Sequence, residues 1–276
     1  MGELEKEMKK QSINMVGGGF QHGISSSDNN TPQHMIWVKG NHTAPISIHI
    51  NDAIFKKTDP TKRNFGWLHE SKTIKPKMYA DARTNVKELE KKFELVFMHD
   101  QDLASISDKF VWIKWKGNPW VIDKAIHPKS KLVSMFASSK IMCPAHVYRH
   151  EILQKFKDKV DHFGTGFKSV ARKEEGLNDY FFNIAMENHT YRNSYSEKLT
   201  DCFATGTVPI YYGNPGIGEI WNTDGMIMLN NNFKIEDLSP ELYYSMMPAI
   251  KDNFQRVMNM PVSEDYIYTE FIKKIL

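Results

Sequence analysis

Short runs of β-branched, aromatic and other apolar residues recur along the chain. They are MIWVKG, ISIHI, FELVFMHD and VWIKW in the first half, then KLVSMFAS, VDHFGTG, YFFNIAM, TVPIYYG and GMIMLNN. Runs of this length, bounded by Gly, Pro, Asn and Asp, read as strands. Between them the apolar positions take helical spacing. The charged NVKELEKKFE, a helix opened by Pro144 and running to about Lys157, and one from Ser196 to Thr205 are predicted, with two more helices, PELYYSMMPAIKDNFQRVMNM and SEDYIYTEFIKKIL, closing the chain. Strands alternating with helices imply mainly parallel sheets, and such sheets hold ligands beyond the carboxyl ends of their strands.

The alternation resets around residues 125 to 140, where AIHPKSK is turn-like. A chain of 276 residues suits two α/β domains better than one small core. The expected division is an arm without regular structure over 1–33, whose VGGGF and SSSDNNTP are rich in breakers, then domains over 34–130 and 131–276, the second with the closing helices.

Apolar residues make up 41% of the chain, enough for a real core and against wholesale disorder. Lys and Arg exceed Asp and Glu by only 36 to 33, too even for a dedicated nucleic-acid binder and compatible with a small anionic ligand. Cys143 and Cys202 lack paired spacing, so no disulfide framework is expected. No stretch approaches the roughly 18 apolar residues of a membrane span, and MGELEKEMKKQ lacks the order of a signal peptide; a soluble, cytoplasmic chain is expected. Asn41-His42-Thr43 and Asn188-His189-Thr190 match the glycosylation sequon, read as chance matches in that setting.

The segment YFFNIAMENHTYRNSYSEKLTDCFATGTVPIYYGNP concentrates the chemistry. If YFFNIAM is a buried parallel strand, Glu187 and Asn188 lie just past its carboxyl end. Ser196 is placed to cap a helix whose first turn holds Glu197 and Lys198, and Gly206 to stop it. The positive end of that helix plus the Lys198 ammonium suits a phosphate, and Glu197 can accept from sugar hydroxyls. A capped surface helix with a Glu-Lys pair accounts for the same residues.

The succession YFFNIAMEN, SEK and ATGTVPIYYGNP resembles the donor-binding motif of glycosyltransferase family 10, the α-1,3/4-fucosyltransferases. There a strand ending in Phe-Glu-Asn precedes Tyr-x-Thr-Glu-Lys and a Gly-x-x-Pro strand. The resemblance runs from about residue 131 to 215 and fades in the N-terminal half. It implies a GT-B-like fold, two Rossmann-like α/β domains facing across a cleft, with an acceptor-binding first domain and a second holding GDP-fucose. It implies an inverting transfer of L-fucose to a hydroxyl of an oligosaccharide acceptor, α-1,3 in type, by a bacterial or viral type of enzyme without a membrane anchor. Donor-binding roles pass to Arg149, Asn188, Tyr195, Glu197 and Lys198. Arg149 falls in the middle of an apolar arc formed by Ala145, Tyr148, Ile152, Leu153 and Phe156, where it either aims a guanidinium at the diphosphate or snorkels. The chain departs from the family at Ser194, where a tyrosine is expected, with Tyr195 one place on.

The catalytic base implied is Glu70, in RNFGWLHESKTI. Asp100 and Asp102, after the strand in FELVFMHD, are its alternatives, and their Asp-x-Asp also fits a metal-dependent GT-A site. No metal is obligatory, because cations and N–H groups can supply the charge; Mn²⁺ or Mg²⁺ stimulation is compatible. The eleven histidines form no HExxH. Trp112, Trp115 and Trp120 suit sugar stacking or, by default, packing. Other readings are a GT-B enzyme using another nucleotide sugar and a non-catalytic GDP- or glycan-binding relative.

Overall fold

A computed structural model describes residues 10–18, 24–27, 30–40, 43–113, 117–192 and 194–276. The chain divides into two compact units, Met1–Trp115 with Pro261–Leu276, and Lys116–Met260. Trp115 and the Asn41-His42 pair lie outside the described residues, as does part of the 1–33 segment.

The first unit holds a six-stranded parallel sheet ordered β2-β1-β3-β4-β5-β6. Its strands are β1 (Gln11–Val16), β2 (Met35–Lys39), β3 (Ile46–Ile50), β4 (Arg63–Leu68), β5 (Val96–Met98) and β6 (Phe110–Trp112). Helices α1 (Pro76–Thr84) and α2 (Val86–Lys92) connect β4 to β5, and the short α3 (Gln101–Ala104) follows β5. The expected unordered arm is corrected by β1, which is paired on both sides, with β2 and with β3. The run SINMV alternates only briefly before the glycines, so its strand character comes from the two neighbours that satisfy its backbone groups.

The second unit is a five-stranded parallel sheet ordered β11-β10-β9-β7-β8. Its strands are β7 (Lys131–Phe136), β8 (Asp161–Phe163), β9 (Tyr180–Met186), β10 (Val208–Tyr212) and β11 (Ile227–Met228), with helices α4 (Pro144–Lys155), α5 (Glu197–Thr205), α6 (Pro240–Ser245) and α7 (Met247–Met258). Every residue of β9 is buried, as expected of a central parallel strand covered on both faces. Phe182, Ile184 and Met186 join one core with Ile152 and Leu153 of α4, and Ala185 joins another with Leu199, Cys202 and Phe203 of α5.

The last helical segment, expected in the second domain, packs in the first unit. Ile267, Tyr268 and Ile272 share a core with Ile13, Phe65 and Phe97. The carboxylate of Glu264, on α8 (Ser263–Ile267), accepts hydrogen bonds from Ser26 and from Trp37 Nε1, and that of Asp265 from the Gln33 and His34 N–H groups. Among the described residues no helix is long and apolar enough to cross a membrane.

Candidate active site

In the second unit the sheet order reverses between β7 and β9, the position at which open parallel sheets hold ligands beyond their carboxyl ends. The chain leaving β7 enters α4 through Pro144, and α4 turns Ala145, His146, Arg149, Ile152 and Leu153 inward. Arg149 is 5% exposed. Its Nη2 donates to the Met186 carbonyl at 3.2 Å and to Asn188 Oδ1 at 2.7 Å, while its buried Nε has no partner among the described residues. Burial lowers the Arg149 pKa, and the carboxylates of Glu187 and Glu197 oppose it.

His146, one turn before Arg149, was not singled out by the sequence. Its Nδ1 accepts the Met142 N–H at 3.1 Å, which leaves Nε2 as the protonated nitrogen that donates to Asn188 Oδ1 at 3.0 Å. Both bonds to the Asn188 side chain end on the amide oxygen, and its NH₂ has no partner among the described residues.

Helix α5 begins at the same edge. Ser196 has extended backbone and its hydroxyl accepts from the Lys198 N–H; Gly206, at φ +67°, closes the helix. Buried Glu187, just past β9, accepts the Ser196 N–H at 2.7 Å and the Ser196 hydroxyl at 2.6 Å, and so ties the strand end to the helix start.

A partly buried charge network secures α5. Burial alone would raise the Glu197 pKa, but Lys198 and Lys173 outweigh it and hold the carboxyl at about 2. Lys173 reaches Asp201 Oδ2 at 2.6 Å and Glu197 Oε1 at 3.5 Å, and lies 4.5 Å from the Trp120 ring centroid. Trp120 thus covers a lysine, in line with its default packing reading. Asp201 also accepts the Trp120 and Val121 N–H groups, at 2.5 and 3.1 Å. Gly117 starts this strap at φ +82°, where a Cβ would stand 2.5 Å from the Ser196 carbonyl carbon. Asp201 stands one turn after Glu197, a spacing visible in the sequence; Lys173 opens a short 3-10 helix, Lys173–Gly176, far from α5 in the sequence and with no such signal. The cavity beneath this network, about 20 Å³, is lined by Lys173, Lys198, Asn183 and Asp201 and holds no more than a water. A nucleotide would have to lie on the sheet edge itself.

Tyr195 is a correction. It is 1% exposed, lies edge-on to Trp221 with centroids 5.7 Å apart, and belongs to the apolar core with Leu199. An aromatic ring next to an apolar helix face gains more from burial than from solvent. Arg149, Asn188, Glu197 and Lys198 do gather at one edge.

In the first unit, Glu70 stands two residues beyond β4 and is half-buried. Asn51, after β3 and at φ +51°, accepts the His69 and Glu70 N–H groups on Oδ1, each at 2.9 Å. The Tyr79 hydroxyl donates to the Glu70 carbonyl at 2.8 Å, and Glu70 Oε1 accepts the Ser71 N–H. Its Oε2 makes no bond among the described residues. Asp100 differs: Oδ1 caps α3 through the Leu103 N–H, and Oδ2 pairs with Lys72 at 3.1 Å. With both oxygens engaged and Asp102 exposed, this pair is set aside as base and as metal site. Among the described residues, no three His, Cys, Asp or Glu side chains gather to hold a metal ion.

The sequence profile of glycosyltransferase family 10 (fucosyltransferase), C-terminal part, matches residues 126–245. An alpha-(1,3)-fucosyltransferase FucT of Helicobacter pylori is 30% identical over 63 residues, which span 23% of this chain and 13% of that protein. The fold is similar to the crystal structure of alpha1,3-fucosyltransferase, with TM-score 0.51 at 13% identity over 94% of this chain and 83% of that one. With GDP present, that structure gives 0.52 at 13% identity, over 94% and 84% of the two chains. AviGT4, a glycosyltransferase involved in avilamycin A biosynthesis, gives 0.50 at 10% identity, over 96% of both chains. The two parallel-sheet units are of the GT-B kind, and residues 126–245 are similar to glycosyltransferase family 10, the fucosyltransferase family.

Proposed function

We propose that the protein is an inverting glycosyltransferase that moves L-fucose from GDP-fucose to a hydroxyl of an oligosaccharide acceptor. The observation that carries this reading is the convergence of Arg149, Asn188, Lys198 and the α5 N-terminus on one sheet edge, within the stretch that matches the family. Arg149 and Lys198, together with the positive end of the α5 dipole, stabilise the charge that builds on the departing diphosphate. Asn188 and Glu197 orient fucose and ribose through hydrogen bonds. Glu70 takes the proton of the acceptor hydroxyl as that oxygen attacks the anomeric carbon, and GDP leaves from the opposite face in a single displacement.

The burial of Tyr195, with Ser194 at the family's tyrosine position, favours a second reading in which another nucleotide sugar is the donor. GDP release from GDP-fucose over a panel of acceptors tests the first, repeated for Glu70→Ala and Lys198→Ala. Turnover that falls at least about 100-fold in Glu70→Ala while GDP still binds supports the base assignment. No turnover with GDP-fucose but turnover with another donor selects the second reading; GDP binding without any turnover identifies a binding protein.

A further inference from the structure

The first unit carries a groove of about 220 Å³ lined by Lys72, Pro76, Tyr79, Ala80, Arg83, Asp100 and Leu103. Pro76, Tyr79, Ala80 and Arg83 lie three or four residues apart, so one face of α1 forms its wall. At 1.5 Å per residue the wall runs about 10 Å from Pro76 to Arg83. Tyr79, in the middle of that wall, is the residue whose hydroxyl holds the Glu70 carbonyl.

The lining has a definite charge. Asp100, its one carboxylate, is neutralised by Lys72 and caps α3. Of the other acids near α1, Asp81 pairs with Lys77 at 2.5 Å and Asp52 with Lys75 at 2.9 Å, while the Glu70 carboxylate keeps one oxygen unbonded among the described residues. Arg83 is exposed and makes no hydrogen bond or ion pair among the described residues. The groove therefore offers an aromatic wall, an ion-paired lysine and, one turn along α1 from Tyr79, a guanidinium without a partner among the described residues. Arginine in such a setting suits a carboxylate, sulfate or phosphate that it can grip with two N–H groups.

We propose that this groove is a subsite for an acceptor sugar bearing an anionic group, with Arg83 recognising the charge; this rests on the glycosyl-transfer reading above. An acceptor whose reacting hydroxyl stands at Glu70 would extend along α1 and place its acidic substituent at Arg83.

The test titrates the full chain with methyl β-glucuronide, methyl β-glucoside and methyl β-glucoside 6-sulfate, and repeats this with Arg83→Gln and with Lys77→Gln on another face of α1. Thermal melts check that the variants are folded. The expected result is preference for the two anionic glycosides over the neutral one by about tenfold, lost in Arg83→Gln and kept in Lys77→Gln. The preference should shrink between about 0.01 and 0.15 M salt, as screening shortens. Binding of the sulfate but not the glucuronide, or the reverse, identifies which acid the groove accepts. Equal affinity for all three, or a preference that survives Arg83→Gln, overturns the proposal. GDP-fucose turnover is measured separately. Turnover without charge preference removes the anionic subsite and leaves the transferase reading, and Arg83-dependent binding without turnover on any acceptor does the reverse.

Discussion

Arg149 Nη2 lies 2.7 Å from Asn188 Oδ1, an oxygen that His146 Nε2 also reaches, at 3.0 Å. One helix thus supplies two donors to a single acceptor just past the central strand, and fixes which way the Asn188 amide faces. The guanidinium stays buried with its Nε unbonded, an arrangement that an anionic ligand would complete.

Replacing Arg149 with lysine keeps a positive charge but loses the planar fork. Hydrogen bonds to charged groups contribute about 1.5–3 kcal/mol, so the Kd for GDP, read by calorimetry, should rise about 10- to 100-fold. Arg149→Met should be worse, because it also removes the charge. An unchanged Kd in both would remove Arg149 from the site.

His146 makes stability depend on pH. Burial, and then the charge of Arg149, lower its pKa below the ordinary 6.5, so the unfolded chain takes up its proton first as pH falls. The stabilising contribution is present above about 6.5 and is lost as pH drops toward the folded-state value. Urea midpoints measured from pH 8 to 5 should fall more steeply for the native chain than for His146→Gln. Parallel curves would show that His146 does not contribute. His49 and His162 are also lowered by burial, so the difference between the two proteins isolates the His146 part.

Gly117→Ala places a methyl against the start of α5 in a backbone region that L-residues avoid. The conformation alone costs about 1–2 kcal/mol, and the contact with Ser196 adds to it. A lower melting temperature together with weaker GDP binding is expected, because the residue that must yield is the cap of α5. A drop in melting temperature with GDP affinity intact would confine the effect to the strap.

Glu264→Ala should destabilise the first unit by about 2–4 kcal/mol, since it leaves the Ser26 and Trp37 donors without their shared acceptor inside the core. Trp37 fluorescence would report its loosening in denaturant. The second unit, which holds the proposed nucleotide edge, should keep its GDP affinity at denaturant levels that do not unfold it.

Short-range physics made much of the second unit legible in advance. The apolar run of β9, proline at the first turn of α4, the Ser196 cap and the Gly206 stop are each decided by residues a turn or a strand apart, so their pattern in the sequence is their cause. The same holds for the inward place of Arg149, read from the helical period, and for the family signature that spans these elements. Other features needed partners distant in the chain. β1 is a strand because β2 and β3 accept it on either side, α8 belongs to the first unit because Ser26, Trp37 and the 33–34 backbone supply donors for its carboxylates, and Lys173 reaches α5 from a short 3-10 helix more than twenty residues away in the chain. Tyr195 was legible as an aromatic at a helix start, but only Trp221 and the apolar face of α5 decided that its ring is buried. Local pattern determined the elements and the residues at their ends; long-range packing decided which of those side chains were left facing the edge where a ligand can reach them.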